Sequence, residues 1–341
     1  MQETRPPIKW VGGKSQILGT LLEQFPREIR NYHEPFLGGG SVLLGVLQQI
    51  RTGAIRISGK IYAYDANPHL IQLYRDIQNP VTCDELIRHL DRLVQEHAAA
   101  SSPETHYYEI RTQYNEMVAA AAMVAEAAME AAAETAAEAM AELDPEFAEE
   151  QMFELTAEIA AAVEEEMAAE APLALVSAYF LFLNKTCFRG LYRVGPRGFN
   201  VPYGHYAAPV VFTREHLYAV RDAIRDVRFI CSDFRNTLPL VNPGDFVYMD
   251  PPYFPVNPTS FTKYTGDGFT LDMHESLVSL SYTLTEQNTE WLMSNADVPW
   301  IRTHFPEPSV EFTSLTCRRA ICAKKPNATA PEVLIHSRCQ G

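Results

Sequence analysis

Four consecutive residues, Asp250-Pro251-Pro252-Tyr253, place a carboxylate, two imino acids and an aromatic ring directly after the apolar run Phe246-Val247-Tyr248-Met249. The run reads as a short buried strand. Two consecutive prolines remove two backbone donors and fix φ, so the loop at the end of the strand holds one shape. That shape presents a carboxylate, exposed carbonyls and a ring together. A planar exocyclic amine bound for group transfer needs this set: two acceptors take its N–H bonds and a ring stacks on its base. A generic turn explains a lone Pro-Pro, but not an Asp before it and a Tyr after it. Asp250, Pro251, Pro252 and Tyr253 are therefore the expected catalytic residues.

A second constellation lies upstream. Phe36-Leu37-Gly38-Gly39-Gly40-Ser41 joins a strand ending at His33-Glu34-Pro35-Phe36 to an apolar helix. Glycines let backbone approach a ligand closely at a sheet's carboxyl edge, although such loops also arise from packing alone. The spacing is not GxGxxG, which disfavours a dinucleotide pyrophosphate. Asp65 ends the next strand, Ile61 to Tyr64, about 25 residues after the glycines. Its residue type suits ribose hydroxyls and equally a helix N-cap before Asn67.

These residues must be held by a fold. Residues 8–75 read as loop, helix, strand, glycine loop, helix and strand, with helices at about 14–25, from Ser41 as N-cap to about Ile50, and Leu70 to Ile77. Residues 76–117 read as mostly helical. Strands return at Val227 to Cys231, Asp245 to Met249 and Glu290 to Ser294. A helix is expected at Asp272 to Thr285, and an antiparallel pair at Arg318 to Ala323 and Glu332 to His336. Strands alternating with helices argue for an α/β fold with a mostly parallel sheet. One catalytic domain, 1–75 and 210–341, is expected to be interrupted by a helical region, 76–209. Residues 184–206 are dense in Gly, Pro, Arg and aromatics, a hairpin signature. The histidines His89 and His97 read as helix-surface residues.

The formal net charge is −15, an unfavourable total for a nucleic-acid partner. Its distribution changes that reading. No Lys or Arg lies between Arg111 and Lys185, a stretch that holds 16 Asp and Glu. The remainder is close to neutral, and Lys185 to Arg228 holds eight basic residues against three acidic. Within the acidic stretch, residues 118–172 are alanine-rich, with Glu126, Glu130, Glu134, Glu138 and Glu142 on one helical face and a break at Asp144-Pro145. A second helix is expected through Met152, Leu155, Ile159, Val163 and Met167. This helical hairpin reads as a solvated insertion or as an arm for self-association; acidic faces repel phosphate, which argues against direct DNA contact. The six cysteines are scattered without a CxxC pair, so neither a zinc site nor a disulfide framework is expected. There is no apolar membrane span or signal core, and an intracellular protein is expected.

With these motifs in order, the chain resembles the Dam-type (D12 class, alpha group) DNA adenine-N6 methyltransferases. Lys9-Trp10-Val11-Gly12-Gly13-Lys14 is similar to that family's N-terminal cofactor motif, Glu34 to Ser41 to its glycine motif, and Tyr64-Asp65-Ala66-Asn67 to its ribose-binding motif. Leu183 to Arg193 with Gly198 to Gly204 resembles its DNA-reading hairpin. Ser232-Asp233-Phe234, Asp250 to Tyr253 and Phe261-Thr262-Lys263-Tyr264 complete the set. Residues 118–172 are not covered.

The resemblance implies a Rossmann-like fold that uses S-adenosylmethionine and double-stranded DNA, with no metal. It places Trp10, Lys14, Phe36, Gly38, Gly39, Gly40, Asp65, Asp233, Phe234 and Asp250 around the cofactor, with Lys14 pairing its methionine carboxylate. It gives Arg193 a guanine to read, Lys185 and Arg189 phosphates, Arg197 a further DNA contact, and Pro202 and Tyr206 the target or the gap it leaves. His205 departs from the arginine that GATC-methylating members carry there, and reaches less far. The implied site is GATC or a related site containing GAT. A partner restriction endonuclease is left open. Glutamine or RNA methyltransferases begin the tetrapeptide with Asn and lack the hairpin; a nicotinamide enzyme needs GxGxxG. A silent DNA-binding module would have no use for Lys14, Asp65, Asp250 and Tyr253.

Overall fold

A computed structural model describes residues 4–141, 173–255, 268–306, 309–318 and 329–338. The first half contains α1 (Leu18–Leu22), β1 (Glu28–Ile29), β2 (Tyr32–Glu34), α2 (Ser41–Thr52), β3 (Arg56–Ile57), β4 (Ile61–Asp65), α3 (Pro68–Gln78), α4 (Pro80–Ala99) and α5 (Pro103–Ala141). The second contains α6 (Leu173–Thr186), β5 (Val194–Gly195), β6 (Gly198–Phe199), α7 (Arg214–Ile224), β7 (Val227–Cys231), α8 (Phe234–Thr237), β8 (Phe246–Met249), α9 (Leu271–Glu286), β9 (Glu290–Ala296), α10 (Pro299–His304), β10 (Val310–Arg318) and β11 (Thr329–Ser337).

The main sheet has the order β10-β11-β9-β8-β2-β4-β7. The five strands from β9 to β7 are parallel, and β11 runs antiparallel to both β9 and β10. The chain leaves β2 toward β4 and β7, then returns on the other side with β8 and β9. The order therefore reverses between β2 and β8, and the crevice outside their carboxyl ends is where open α/β sheets bind ligands. Glu34 ends β2, and Asp250 follows β8 directly.

Alternation along the strands divides the core. Tyr32, Ala63 and Phe229 point to a face packed with residues of α2, α3 and α7. Val247, Met249, Trp291, Met293 and Ile335 point to the other, packed with Leu277 and Leu284 of α9 and Ile301 of α10. The first cluster continues without a break into Leu90 and Leu93 of α4, Tyr107 of α5 and Phe180 to Leu183 of α6. The helices of 76–209 thus share a core with the parallel sheet.

Several expectations are corrected in detail. The first helix covers only Leu18–Leu22, because residues 14–17 form a turn that brings the Lys14 amide to the Ser41 hydroxyl at 3.1 Å. Ser41 is the first helical residue; the N-cap is Gly40, at φ 69°. The N-cap of α3 is Asn67, whose side chain accepts from His69 and Leu70. β10 begins at Val310, about eight residues before the expected start, since Val310-Glu311-Phe312-Thr313 already carries strand-forming residues; the rest of the strand expected to Ala323 lies outside the described residues. His97 is buried at the end of α4 rather than on its surface. α5 runs unbroken to Ala141. The expected helix from Met152 to Met167, its break at Asp144-Pro145 and the motif Phe261 to Tyr264 lie outside the described residues. Among the described residues, no helix is long and apolar enough to cross a membrane.

Candidate active site

The tetrapeptide and the N-terminal motif, 236 residues apart, meet in one ion pair. The Lys14 ammonium donates to Asp250 Oδ2 at 2.6 Å and to the Gly12 carbonyl at 2.7 Å. Lys14 is only 5% exposed, and its Nζ lies 4.9 Å from the centre of the Tyr253 ring. Burial pushes the Asp250 carboxyl up; Lys14 opposes the rise and Glu332 adds to it. Lys14 therefore opposes, without cancelling, the effect of burial on this carboxyl. Its amine is engaged with Asp250, where the resemblance implied a cofactor carboxylate.

Behind this pair lies Glu34, 1% exposed, accepting from the Tyr32 hydroxyl at 2.7 Å. Burial raises its carboxyl to about 8, with the charge of Asp250 adding to the rise and Lys14 opposing it. The tetrapeptide is braced from the antiparallel side of the sheet. The Tyr253 hydroxyl donates to Glu332 on β11 at 3.0 Å. The Phe254 amide donates to Asn295 Oδ1 on β9 at 3.0 Å, and the same oxygen accepts from the Ala296 amide. Glu332, Asn295 and Glu34 were not singled out from sequence. A polar Ser294-Asn295 in an otherwise apolar strand was the available signal for one of them.

The glycine loop is equally constrained. Asp65 accepts from the Gly38 amide through Oδ2 and from the Asn67 amide through Oδ1, each at 2.9 Å. Tyr74 donates to the Gly39 carbonyl at 2.8 Å. A Cβ on Gly40 would stand 2.4 Å from the Tyr74 hydroxyl, and one on Gly39 would stand 2.9 Å from Trp10 Cβ. Trp10 thus covers the loop, and its ring stacks on Tyr192 with centroids 5.4 Å apart. Phe36 and Phe234 meet at 5.3 Å, and Phe269 packs on both at 6.0 and 5.6 Å. Phe269 went unnoticed in the sequence because it sits in no motif. Asp233 caps α8, and the Arg235 guanidinium reaches both of its oxygens, at 2.8 and 3.1 Å. Burial would raise the Asp233 carboxyl, but Arg235 holds it below its usual value.

The hairpin adjoins this site through Lys9. Asn184 accepts from the Lys9 amide at 2.9 Å, donates to the Lys9 carbonyl at 2.8 Å and donates to Gly190 at 3.2 Å. The Lys9 ammonium lies 4.7 Å over the Tyr206 ring, and the Tyr206 hydroxyl accepts from the Arg189 amide at 3.0 Å. Lys185 is half-buried nearby; burial, with repulsion from Lys9, lowers its ammonium to about 8. Arg193 is exposed, but its guanidinium is bonded to Asn200, at 2.5 Å to Oδ1 and 3.2 Å to the carbonyl. The Pro202 carbonyl accepts from the Phe188 amide at 2.8 Å. Arg197 and His205 are exposed, His205 with φ 53° and its Nε2 3.9 Å from Glu104. The structure thus brings the expected cofactor and catalytic residues to one sheet edge. Of the expected DNA-reading residues, Lys185 lies in the last turn of α6 and the others lie on the adjoining segment around β5 and β6.

The fold is mixed α/β with a mostly parallel sheet, and the tetrapeptide and the glycine loop stand at adjacent strand ends. The sequence profile of the D12 class N6 adenine-specific DNA methyltransferases matches residues 10–316, and the chain belongs to that family. It is 31% identical over 303 residues to the type II methyltransferase M.MjaIII of Methanocaldococcus jannaschii, covering 86% of this chain and 85% of that protein. It is 27% identical over 327 residues to the DNA adenine methylase of Escherichia coli K12, covering 94% and 90%. The retron Ec67 DNA adenine methylase of Escherichia coli is 27% identical over 296 residues, covering 86% and 78%. Family membership makes the chain an adenine-specific DNA methyltransferase and implies use of S-adenosylmethionine.

Proposed function

We propose that the chain methylates N6 of an adenine flipped out of a short double-stranded site, GATC or a related site containing GAT. The observation that carries this reading is the Lys14–Asp250 pair beside Tyr253. It joins the cofactor side of the cleft to the amine-binding loop.

The donor set fits the methyl donor. Asp65, Asp233 and Asp250 lie at or just after the ends of three of the parallel strands, an acidic edge suited to a cationic sulfonium. Asp65 keeps lone pairs for ribose hydroxyls, and the Phe36, Phe234 and Phe269 rings offer apolar faces to a base. Bound there, S-adenosylmethionine supplies an electrophilic methyl group.

The adenine amine is a poor nucleophile because its lone pair is delocalised into the ring. Asp250 and the Pro251 carbonyl accept its two N–H bonds and draw the lone pair toward the methyl group. Oδ2 of Asp250 is already held by the Lys14 ammonium. Asp250 therefore orients and polarises the amine and does not strip its proton before transfer. Tyr253, fixed at its hydroxyl by Glu332, offers the ring face away from Lys14 to the adenine. A stacked base cannot reach this cleft, so flipping is required, at a cost of a few kcal/mol.

The hairpin supplies site recognition: Lys185 and Arg189 for phosphate, Arg193 for a base edge after exchanging its Asn200 partner, Arg197 at the rim. Pro202, His205 and Tyr206 border the target. His205 cannot make a bidentate bond to guanine, so discrimination at the last base pair is expected to be weaker than an arginine gives. Kinetics on duplexes that differ from GATC at one position test this. A strict requirement for the last base pair would contradict it.

A further inference from the structure

The return strand of the hairpin is gripped from behind by one face of α5. Asn115 takes both backbone groups of Phe199, donating to its carbonyl at 3.0 Å and accepting from its amide at 2.8 Å. One turn earlier, Arg111 donates to the Val201 carbonyl at 3.3 Å, and the Tyr107 hydroxyl donates to the same oxygen at 2.7 Å. The Tyr203 ring packs on Tyr107, centroids 5.3 Å apart. Residues 107, 111 and 115 recur every ~6 Å of helix, and residues 199, 201 and 203 every ~6.6 Å of extended chain. The repeats match in opposite directions, so one helical face holds alternate residues of the strand.

The ladder ends on histidines. His97 Nε2 lies 3.3 Å from the Tyr203 hydroxyl, and its Nδ1 lies 3.2 Å from Nδ1 of His106. Phe182 packs edge-on against both rings. We propose that Tyr107, Arg111, Asn115 and the His97–His106–Tyr203 relay are positioning residues that hold residues 199–205 in the register that reads DNA. Double protonation of the histidine pair releases that strand. The proposal rests on the DNA-reading role assigned to the hairpin above.

The chemistry follows from the short nitrogen pair. One Nδ1 must donate and the other accept. One added proton on the pair is tolerated, because one Nδ1 still donates to the other; Nε2 of His106 lies 3.9 Å from Glu96. A second sets N–H against N–H and breaks the bond. The other charged groups around the pair are Arg92, which faces Glu96 at 3.8 Å, and Glu104, which faces His205 at 3.9 Å. Tyr107, Tyr203 and Cys187 stay neutral in the acid range. Burial, with repulsion from His106, holds His97 below the ordinary imidazole value. Near pH ~6.5 and above, the relay is intact; the strand loosens only as the second proton is taken up, below the ordinary imidazole value.

The test compares wild type, Tyr203→Phe and Asn115→Ala. It measures KM for duplex DNA and kcat from pH 5.5 to 8.5, S-adenosylmethionine binding, and hydrogen exchange of the Phe199 amide. Tyr203→Phe keeps the ring and removes one hydrogen bond. It is expected to raise KM for DNA roughly 3–10-fold near pH 7.5, leave kcat unchanged and abolish the acid-side rise in KM. Asn115→Ala acts from the other end of the ladder. It is expected to expose the Phe199 amide and raise KM similarly while keeping the wild-type pH dependence. Identical pH profiles for wild type and Tyr203→Phe, or effects confined to kcat, overturn the proposal. A wild type that binds cofactor and keeps Phe199 protected yet discriminates no DNA site overturns the underlying DNA-reading assignment, and the proposal with it.

Discussion

At Asp250 two effects compete: burial favours the neutral acid, and Lys14 favours the carboxylate. Only the carboxylate offers two acceptor oxygens, so Lys14, by opposing the rise, favours the form that activity needs. Asp250→Ala is expected to lower kcat by about 10²–10³-fold, the usual cost of losing one charge-stabilising group, with S-adenosylmethionine still bound in a calorimetric titration. Lys14→Met leaves the carboxylate unpaired and lets its pKa rise. The acid limb of the kcat profile should then move to higher pH; an unmoved limb would show that Lys14 does not set the charge of Asp250. Glu34 gives a stability prediction of opposite kind. Its folded value of about 8 exceeds the ordinary carboxyl value of 4.5. Below about pH 4.5 both states hold the proton. Between about 4.5 and 8 the unfolded chain releases it and the native chain keeps it, so native stability falls as pH rises through this window. Glu34→Gln removes that dependence. Thermal melts should show the variant gaining on wild type from pH 5 to pH 8, and parallel curves would contradict the buried, neutral Glu34.

At the scale of elements, the glycine loop is held by Asp65, Tyr74 and Trp10 together. Gly40 combines a left-handed φ of 69° with a Cβ direction blocked by Tyr74. Gly40→Ala is expected to cost about 1–3 kcal/mol of stability and to weaken S-adenosylmethionine binding more than tenfold, read by melting and titration on the same sample. Much of this element was legible in advance. Strand–glycine–helix and the tetrapeptide are local patterns, and β7, β8 and α9 fall within a residue or two of where periodicity puts them. What escaped was set by partners distant in sequence. The α1 start yields to the Lys14–Ser41 contact. Glu332 braces Tyr253 from a strand 79 residues away. His97 looks like a surface residue until α5, α6 and the loop at Tyr203 close over it. Two-residue strands such as β1 and β3 are too short to carry any period.

For the whole molecule, a total charge of −15 coexists with a DNA substrate because the acidic excess is confined to one stretch and the hairpin carries basic residues. Lys185 makes this balance measurable. With its ammonium lowered to about 8, the free enzyme loses a positive charge as the pH rises through that value. DNA affinity should therefore decline above pH 8 in wild type, and less in Lys185→Arg. Lys185→Ala should reduce the slope of log K against log salt by about one. An unchanged slope would remove Lys185 from the phosphate contacts.

Asp250 is proposed to present a flipped adenine for N6 methylation at a short site. The most direct test is transfer of labelled methyl from S-adenosylmethionine to unmethylated genomic DNA by wild type and Asp250→Ala, with modified bases mapped along each molecule. N6-methyladenine is expected at one short motif containing GAT, with the rate of labelling lowered about 10²–10³-fold in Asp250→Ala. Label on another base, or cofactor binding by wild type with no label on DNA, would contradict it.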